Sequence, residues 1–463
     1  MRKNMKIGLL PLYIQLYDET SPDLRPRLEA FYEEIAAQFT TRNVMVEKTN
    51  FCRKKPEFEQ AIRAFEQVGV DAIVTLHMAY SPSLESIEVL ADTDLPIIVL
   101  DTTQTLEFTP KQDPGEVMYN HGIHGVMDMC SMLKRYGKAY AIVAGHYLES
   151  DCIDRACGYI RAAMAAAALK KAHVGLVGGA FEGMGDFAVS PEELKERFHI
   201  TVENIDPDVL GRFSKEISRE ALDTELTENK ARFDFDAGVI QDEYVQSVRS
   251  CLALRACIKE KGYSAFSVNF LKVGAKCGLP SMPFLECCKA MERGIGYAGE
   301  GDALTAAFTG AFLSAYQETG FVEIFCPDWK NNMLFLSHMG EINYRLAEGK
   351  PLICRAGTNF TQGLTPYMGY ARMKGGKGIY VNISRGKDDY RLMLAPAEML
   401  SCDEDDFTYS MRGWMRPENV TTAQFLEAHS RNGATHHSIF VYDATVEELS
   451  FFGQLLSLET IVV

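Results

Sequence analysis

The sequence predicts an α/β protein built from two doubly wound parallel-sheet domains followed by a mostly-β C-terminal domain. Three observations predict it. Short apolar runs alternate with helical patterns over about the first 170 residues; the alternation resumes at His173; and after about residue 317 helical patterns become scarce while short β-rich runs take over. Strand–helix alternation implies parallel sheets covered on both faces, with polar groups gathered at the carboxyl ends of the strands. Domains are expected at 1–170, 171–317 and 318–463, in line with a prior of roughly 150 residues per domain for a 463-residue chain.

In the first domain the strands are expected at Lys6-Ile-Gly-Leu-Leu, Val44-Met-Val-Glu, Ala72-Ile-Val-Thr-Leu, Pro96-Ile-Ile-Val-Leu and Ala139-Tyr-Ala-Ile-Val. Helical patterns fall between and after them, over 26–39, 55–68, 84–91, 117–136 and 154–170. The segments expected at strand ends, such as Tyr13 to Tyr17, His77 to Pro82 and Asp101 to Gln104, are polar and aromatic, as a site rim would be. In the second domain, His173-Val-Gly-Leu-Val, Ile200-Thr-Val-Glu-Asn and Ser264 to Phe270 read as strands, and 191–198, 245–261 and 284–293 as helices. The third domain's runs at Phe321, Met333, Gly378, Tyr390 and Ser438 fit a sandwich or a barrel equally well.

Composition narrows the functional classes. The chain is 47% hydrophobic and 24% charged, with a net charge of −16. That balance argues against a nucleic-acid surface or a polybasic membrane patch. No apolar run approaches bilayer-spanning length, and the basic opening Met1-Arg-Lys-Asn-Met-Lys is not followed by a signal-peptide core. Twelve cysteines without CxxC pairs point to reduced thiols in a cytoplasmic protein.

The stretch around which the rest is organised is Glu292-Arg-Gly-Ile-Gly-Tyr-Ala-Gly-Glu-Gly-Asp302, followed by a helical run over 303–316. Gly299 and Gly301 let the backbone bend and leave the Glu300 carboxylate free, and Asp302 suits an N-cap. Its GxGxxG pattern is a decoy, because the dinucleotide fingerprint follows a strand and Phe284 to Arg293 reads as a helix. Glu323, His338 and His437 complete a mixed oxygen/nitrogen set suited to a divalent ion such as Mn2+. Taken singly, each has an ordinary explanation: a buried satisfied carboxylate, a solvated strand residue, a core histidine. On a strand the rings of His436 and His437 would face opposite sides, so only one of them is expected to enter a given site.

Four segments, Gly296 to Asp302, Phe321-Val-Glu323, Ser337-His-Met-Gly-Glu341 and Gly433-Ala-Thr-His-His-Ser-Ile-Phe440, resemble in the same order the metal-site segments of bacterial L-arabinose isomerases. The resemblance extends over nearly the whole chain, including Gln15-Leu-Tyr17, Leu76-His77, Asn120 with His124, Val143 to His146 and Met184. It implies Mn2+ or another divalent ion held by Glu300, Glu323, His338 and His437, with the two glutamates as the acid/base pair around a cis-enediol. It implies sugar contacts from Gln15, Tyr17, His124 and Met184. It also implies a homotrimer or homohexamer in which the N-terminal domain of one subunit covers a neighbour's site. The sequence departs from the family in a shorter gap between Glu300 and Glu323, a shorter chain, and His121 in place of a glutamine. Three other readings stay open: an L-fucose-type or other sugar isomerase, a non-catalytic sugar-binding protein, and an NAD-dependent enzyme, which would need a strand before Gly294.

Overall fold

The computed structural model describes residues 4–402 and 404–463, the side chain of 275 excepted; the first residues of the basic opening, 1–3, lie outside them. The chain divides into two compact units, 1–164 and 165–463.

In the first unit, strands β1 (Lys6–Leu12), β2 (Met45–Lys48), β3 (Ala72–His77), β4 (Ile97–Asp101) and β5 (Tyr140–Ala144) form one parallel sheet in the order β2-β1-β3-β4-β5. β3 is buried along its whole length, as expected of a central parallel strand. The helical pattern expected over 117–136 is two helices, Val117–Asn120 and Ile123–Arg135. The break falls at His121, whose Nδ1 lies 2.7 Å from the carbonyl oxygen of Val117.

The second unit holds a parallel sheet and a barrel. Strands β6 (His173–Val177) and β7 (Thr201–Ile205) join β9 (Ala265–Val268) and β10 (Gly296–Gly299) in the order β10-β9-β6-β7, all parallel. The two-residue β8 (Asp234–Phe235) instead pairs with β13 (Ala347–Arg355), which pairs with β14 (Tyr367–Met373). The helix Ala303–Leu313 is buried on every side, which its uniformly apolar or small residues allow.

The C-terminal strands settle the choice between sandwich and barrel. They are β11 (Thr319–Asp328), β12 (Met333–Ser337), β15 (Gly376–Arg385), β16 (Tyr390–Met399), β17 (Gly413–Pro417), β18 (His437–Tyr442) and β19 (Glu459–Val462). They run in the order β15-β18-β11-β12-β17-β16-β19, and β15 pairs back onto β16, closing an antiparallel barrel with β19 added in parallel to β16. One apolar core joins the barrel to the helices Arg219–Arg232, Gln241–Lys261 and Phe284–Glu292. Among the described residues, no helix is long and apolar enough to cross a membrane.

Candidate metal centre

β10 ends in a sharp turn at Glu300, which adopts a left-handed backbone (φ 63°). Its neighbours have no room for side chains: a Cβ on Gly299 would lie 2.8 Å from Cε1 of His338, and one on Gly301 2.4 Å from the carbonyl oxygen of Gly179. The turn is held by Ser267, whose Oγ accepts from the backbone N–H of Gly301 at 2.8 Å. Phe181 N–H donates to the Glu300 carbonyl at 2.9 Å. Asp302 then caps the following helix, its Oδ1 accepting from Thr305 N–H at 2.9 Å.

The barrel supplies the other groups through its register. Glu323 of β11 stands opposite His437 of β18 on one side and Ser337 of β12 on the other, with His338 one residue beyond. Antiparallel cross-strand partners share a face, so Glu323 and His437 point the same way. Strand order β18-β11-β12 therefore brings together residues more than a hundred positions apart in sequence.

The resulting geometry is tight. His437 Nε2 lies 3.5 Å from Glu300 Oε2, and His338 Nε2 lies 3.6 Å from Glu323 Oε2. Ligand atoms of Glu323, His338 and His437 lie within 4.8 Å of one another, as do those of Glu300, His436 and His437. The strand expectation for His436 is corrected here. β18 begins at His437, so His436 is not bound by strand alternation, and its Nε2 also reaches within 3.6 Å of Glu300 Oε2. Phe321 sets its ring edge-on against both His338 and His437, 5.0 Å from each.

Outer carboxylates orient the imidazoles. His338 Nδ1 lies 2.7 Å from Glu341 Oε2, and Tyr297 donates to the other oxygen of Glu341 at 2.7 Å. His437 Nδ1 lies 3.0 Å from the second oxygen of Asp302, both side chains being fully buried. Such carboxylate–histidine pairs leave Nε2 as the free ligand atom and raise its basicity. Sequence reasoning placed Asp302 only as a cap and did not assign Glu341; their spacing from Glu300 and His338 was the available signal.

Charge follows from these contacts. Burial raises the carboxyl pKa of Glu300, but His436 and His437 beside it more than offset this and bring it to about 2. Burial pushes Glu323 up, with the histidines opposing it only in part. Burial lowers His437, whereas Asp302 and Glu300 carry it to about 9. Glu300 Oε2 and His437 Nε2 are buried with no hydrogen-bond partner. Two such atoms facing each other beyond good hydrogen-bond distance are a fit for a divalent cation, and Glu300, Glu323, His338 and His437 could hold one.

Of the remaining sequence-predicted residues, Gln15, Tyr17 and His124 belong to the first unit and Met184 to the second. In the first unit, Tyr17 Oη lies 3.2 Å from His121 Nε2, and the His121 and His124 rings are 6.1 Å apart. Gln15, on the same helix Gln15–Thr20, donates to Glu19 at 2.6 Å. Met184 lies on the segment between β6 and the helix Pro191–Phe198.

Fold and site define a class: an α/β protein with a C-terminal barrel and a buried carboxylate–imidazole centre. Comparison with known proteins gives the family. The L-arabinose isomerase central-domain family matches residues 191–316 and the L-arabinose isomerase C-terminal-domain family matches 318–459, together more than half of the chain. The L-arabinose isomerase of Oceanobacillus iheyensis is 25% identical over 74% of this chain and 74% of its own length. That of Geobacillus kaustophilus is 22% identical over 84% of this chain and 80% of its own, and L-arabinose isomerase 1 of Bacillus licheniformis is 23% identical over 88% and 82%. The chain belongs to the L-arabinose isomerase family, a family of aldose–ketose isomerases and hence of intramolecular oxidoreductases.

Proposed function

We propose that this protein is a metal-dependent aldose–ketose isomerase of the L-arabinose isomerase type. It acts on a pentose or hexose through a cis-enediol, in the cytoplasm, as a homotrimer or homohexamer. The observation that carries the reading is the pair of buried, unpartnered atoms, Glu300 Oε2 and His437 Nε2, 3.5 Å apart beside the Glu323–His338 pair.

Glu300, Glu323, His338 and His437 would hold Mn2+ or another divalent cation. When bound, the ion supplies Lewis-acid stabilisation of the negative charge developing on the sugar's O1 and O2, worth several kcal/mol. The chain's own residues do the rest. Glu300 and Glu323 act jointly as the acid/base pair: a carboxylate takes the proton from C2 of the aldose and returns it to C1, while a second proton moves between the two oxygens. Positioned proton transfer of this kind contributes about 10²–10⁴-fold. Asp302 and Glu341 hold His437 and His338 in orientation, and Phe321 packs edge-on against both rings. Gln15, Tyr17, His124 and Met184 are the proposed sugar contacts.

The test strips the protein of metal and screens pentoses and hexoses for ketose formation with and without added Mn2+. Ketose formation that depends on the cation, with solvent deuterium entering at C1 or C2, is expected. Sugar binding without turnover at any cation would overturn the reading in favour of a binding protein.

A further inference from the structure

Three imidazoles, not two, approach the glutamates, and each carries its own carboxylate. His338 Nδ1 has Glu341 at 2.7 Å, His437 Nδ1 has Asp302 at 3.0 Å, and His436 Nδ1 has Asp186 at 2.6 Å. In each case the opposite ring nitrogen faces a glutamate oxygen at 3.5–3.6 Å. A carboxylate on Nδ1 fixes the tautomer and turns the Nε2 lone pair toward a ligand. His436 is thus built in the same way as the two histidines already assigned to the centre.

Its carboxylate comes from a different place. Asp186 lies on the segment joining β6 to the helix Pro191–Phe198, and its Oδ2 also accepts from the backbone N–H of His436 at 3.0 Å. One oxygen therefore holds both the ring and the main chain of His436. The next residue, Phe187, is buried and lies flat on the ring of His437, with centroids 4.8 Å apart and planes at 13°. Consecutive residues of one segment hold consecutive histidines, so the segment orients the site rather than merely passing it.

We propose that Asp186 is a positioning residue that turns Nε2 of His436 toward Glu300, making His436 a third imidazole of the cation site. This rests on the metal-dependent reading above. With Asp186→Asn, the amide can offer its NH₂ to Nδ1, which favours the opposite tautomer and removes the Nε2 lone pair from the site.

The test titrates Mn2+ into the metal-free full-length protein, its Asp186→Asn and His436→Gln variants and the double variant, following free Mn2+ by electron paramagnetic resonance. Asp186→Asn weakens Mn2+ binding about 10–100-fold, the range for loss of a partner to a metal-binding histidine, with an unchanged melting temperature. His436→Gln weakens it similarly, and the double variant is no weaker than His436→Gln alone, because Asp186 acts through His436. Asp186→Glu recovers part of the loss. Wild-type affinity in Asp186→Asn, or full additivity in the double variant, overturns the proposal. If Asp186→Asn does not fold, wild-type affinity in His436→Gln overturns it instead. A wild-type protein that takes up no Mn2+ overturns the underlying reading as well, so the two failures are distinguishable.

Discussion

The helices Arg219–Arg232, Gln241–Lys261 and Phe284–Glu292 bury one cluster of charge, and the ends of β10, β11, β12 and β18 bury another. In the first, Glu225 takes two hydrogen bonds from Arg255 at 2.6 and 2.8 Å and one from Lys289 at 2.5 Å. Arg255 reaches across to Glu286 at 2.8 Å, Arg293 binds the other oxygen of Glu286, and Lys289 also binds Asn229. Each carboxylate there is closed upon by a cation of the chain itself. In the second cluster the glutamates meet imidazoles at 3.5–3.6 Å, and buried Oε2 and Nε2 atoms are left without hydrogen bonds. A buried charge has to be compensated. The helical cluster is complete as folded, whereas the second leaves Glu300 Oε2 and His437 Nε2 unpartnered within two triads of candidate ligands that share His437.

Exchanging the roles of the two clusters by mutation breaks or sharpens this comparison. Glu300→Gln and Glu323→Gln should each lower isomerisation by about 10²–10⁴-fold with little change in melting temperature, measured as initial ketose formation with added Mn2+. Near-full activity in either variant removes that residue from acid/base duty. Glu225→Gln should do the reverse. It leaves buried Lys289 without a counter-charge and Arg255 with Glu286 alone, and destabilises the fold by about 3–5 kcal/mol in denaturant unfolding, with activity per folded molecule retained.

A smaller effect is expected from Asp302→Asn, since asparagine also caps helices and the fold should hold. The partner of His437 is nevertheless changed, and metal affinity by titration should fall about 10–100-fold. The smallest effect is a pH dependence. Burial raises the pKa of Glu225, but Arg255 and Lys289 more than offset this and bring it down from 4.5 to about 2. A depressed carboxyl pKa contributes stability that is fully present above pH 4.5 and is lost as the pH falls toward 2. The wild-type protein should lose stability over that window more steeply than Glu225→Gln, as read from unfolding curves at successive pH values.

Much of the architecture was legible because local pattern and tertiary role agree. β3 and β6, the helix 191–198 and the cap at Asp302 fall where apolar runs, Pro191 and a carboxylate before a helix place them. Elements whose pattern is weak were not. β10 is the four residues Gly-Tyr-Ala-Gly, which carry little strand propensity and form a strand because they pair with β9. The helices Pro207–Glu216 and Arg219–Arg232 are mostly polar and were passed over, as were β13 and β14, whose alternation is interrupted.

By itself the sequence determined the alternation that makes parallel sheets, the glycine-flanked bend at Glu300, and the identity of the side chains available for chemistry. These depend on neighbours in the chain, through backbone sterics and periodicity. Only the tertiary structure decided that the C-terminal strands close into a barrel, that its register sets Glu323 beside His437, and that His436 joins them with Asp186 behind it. Those outcomes depend on pairings between segments over a hundred residues apart, which no local pattern encodes.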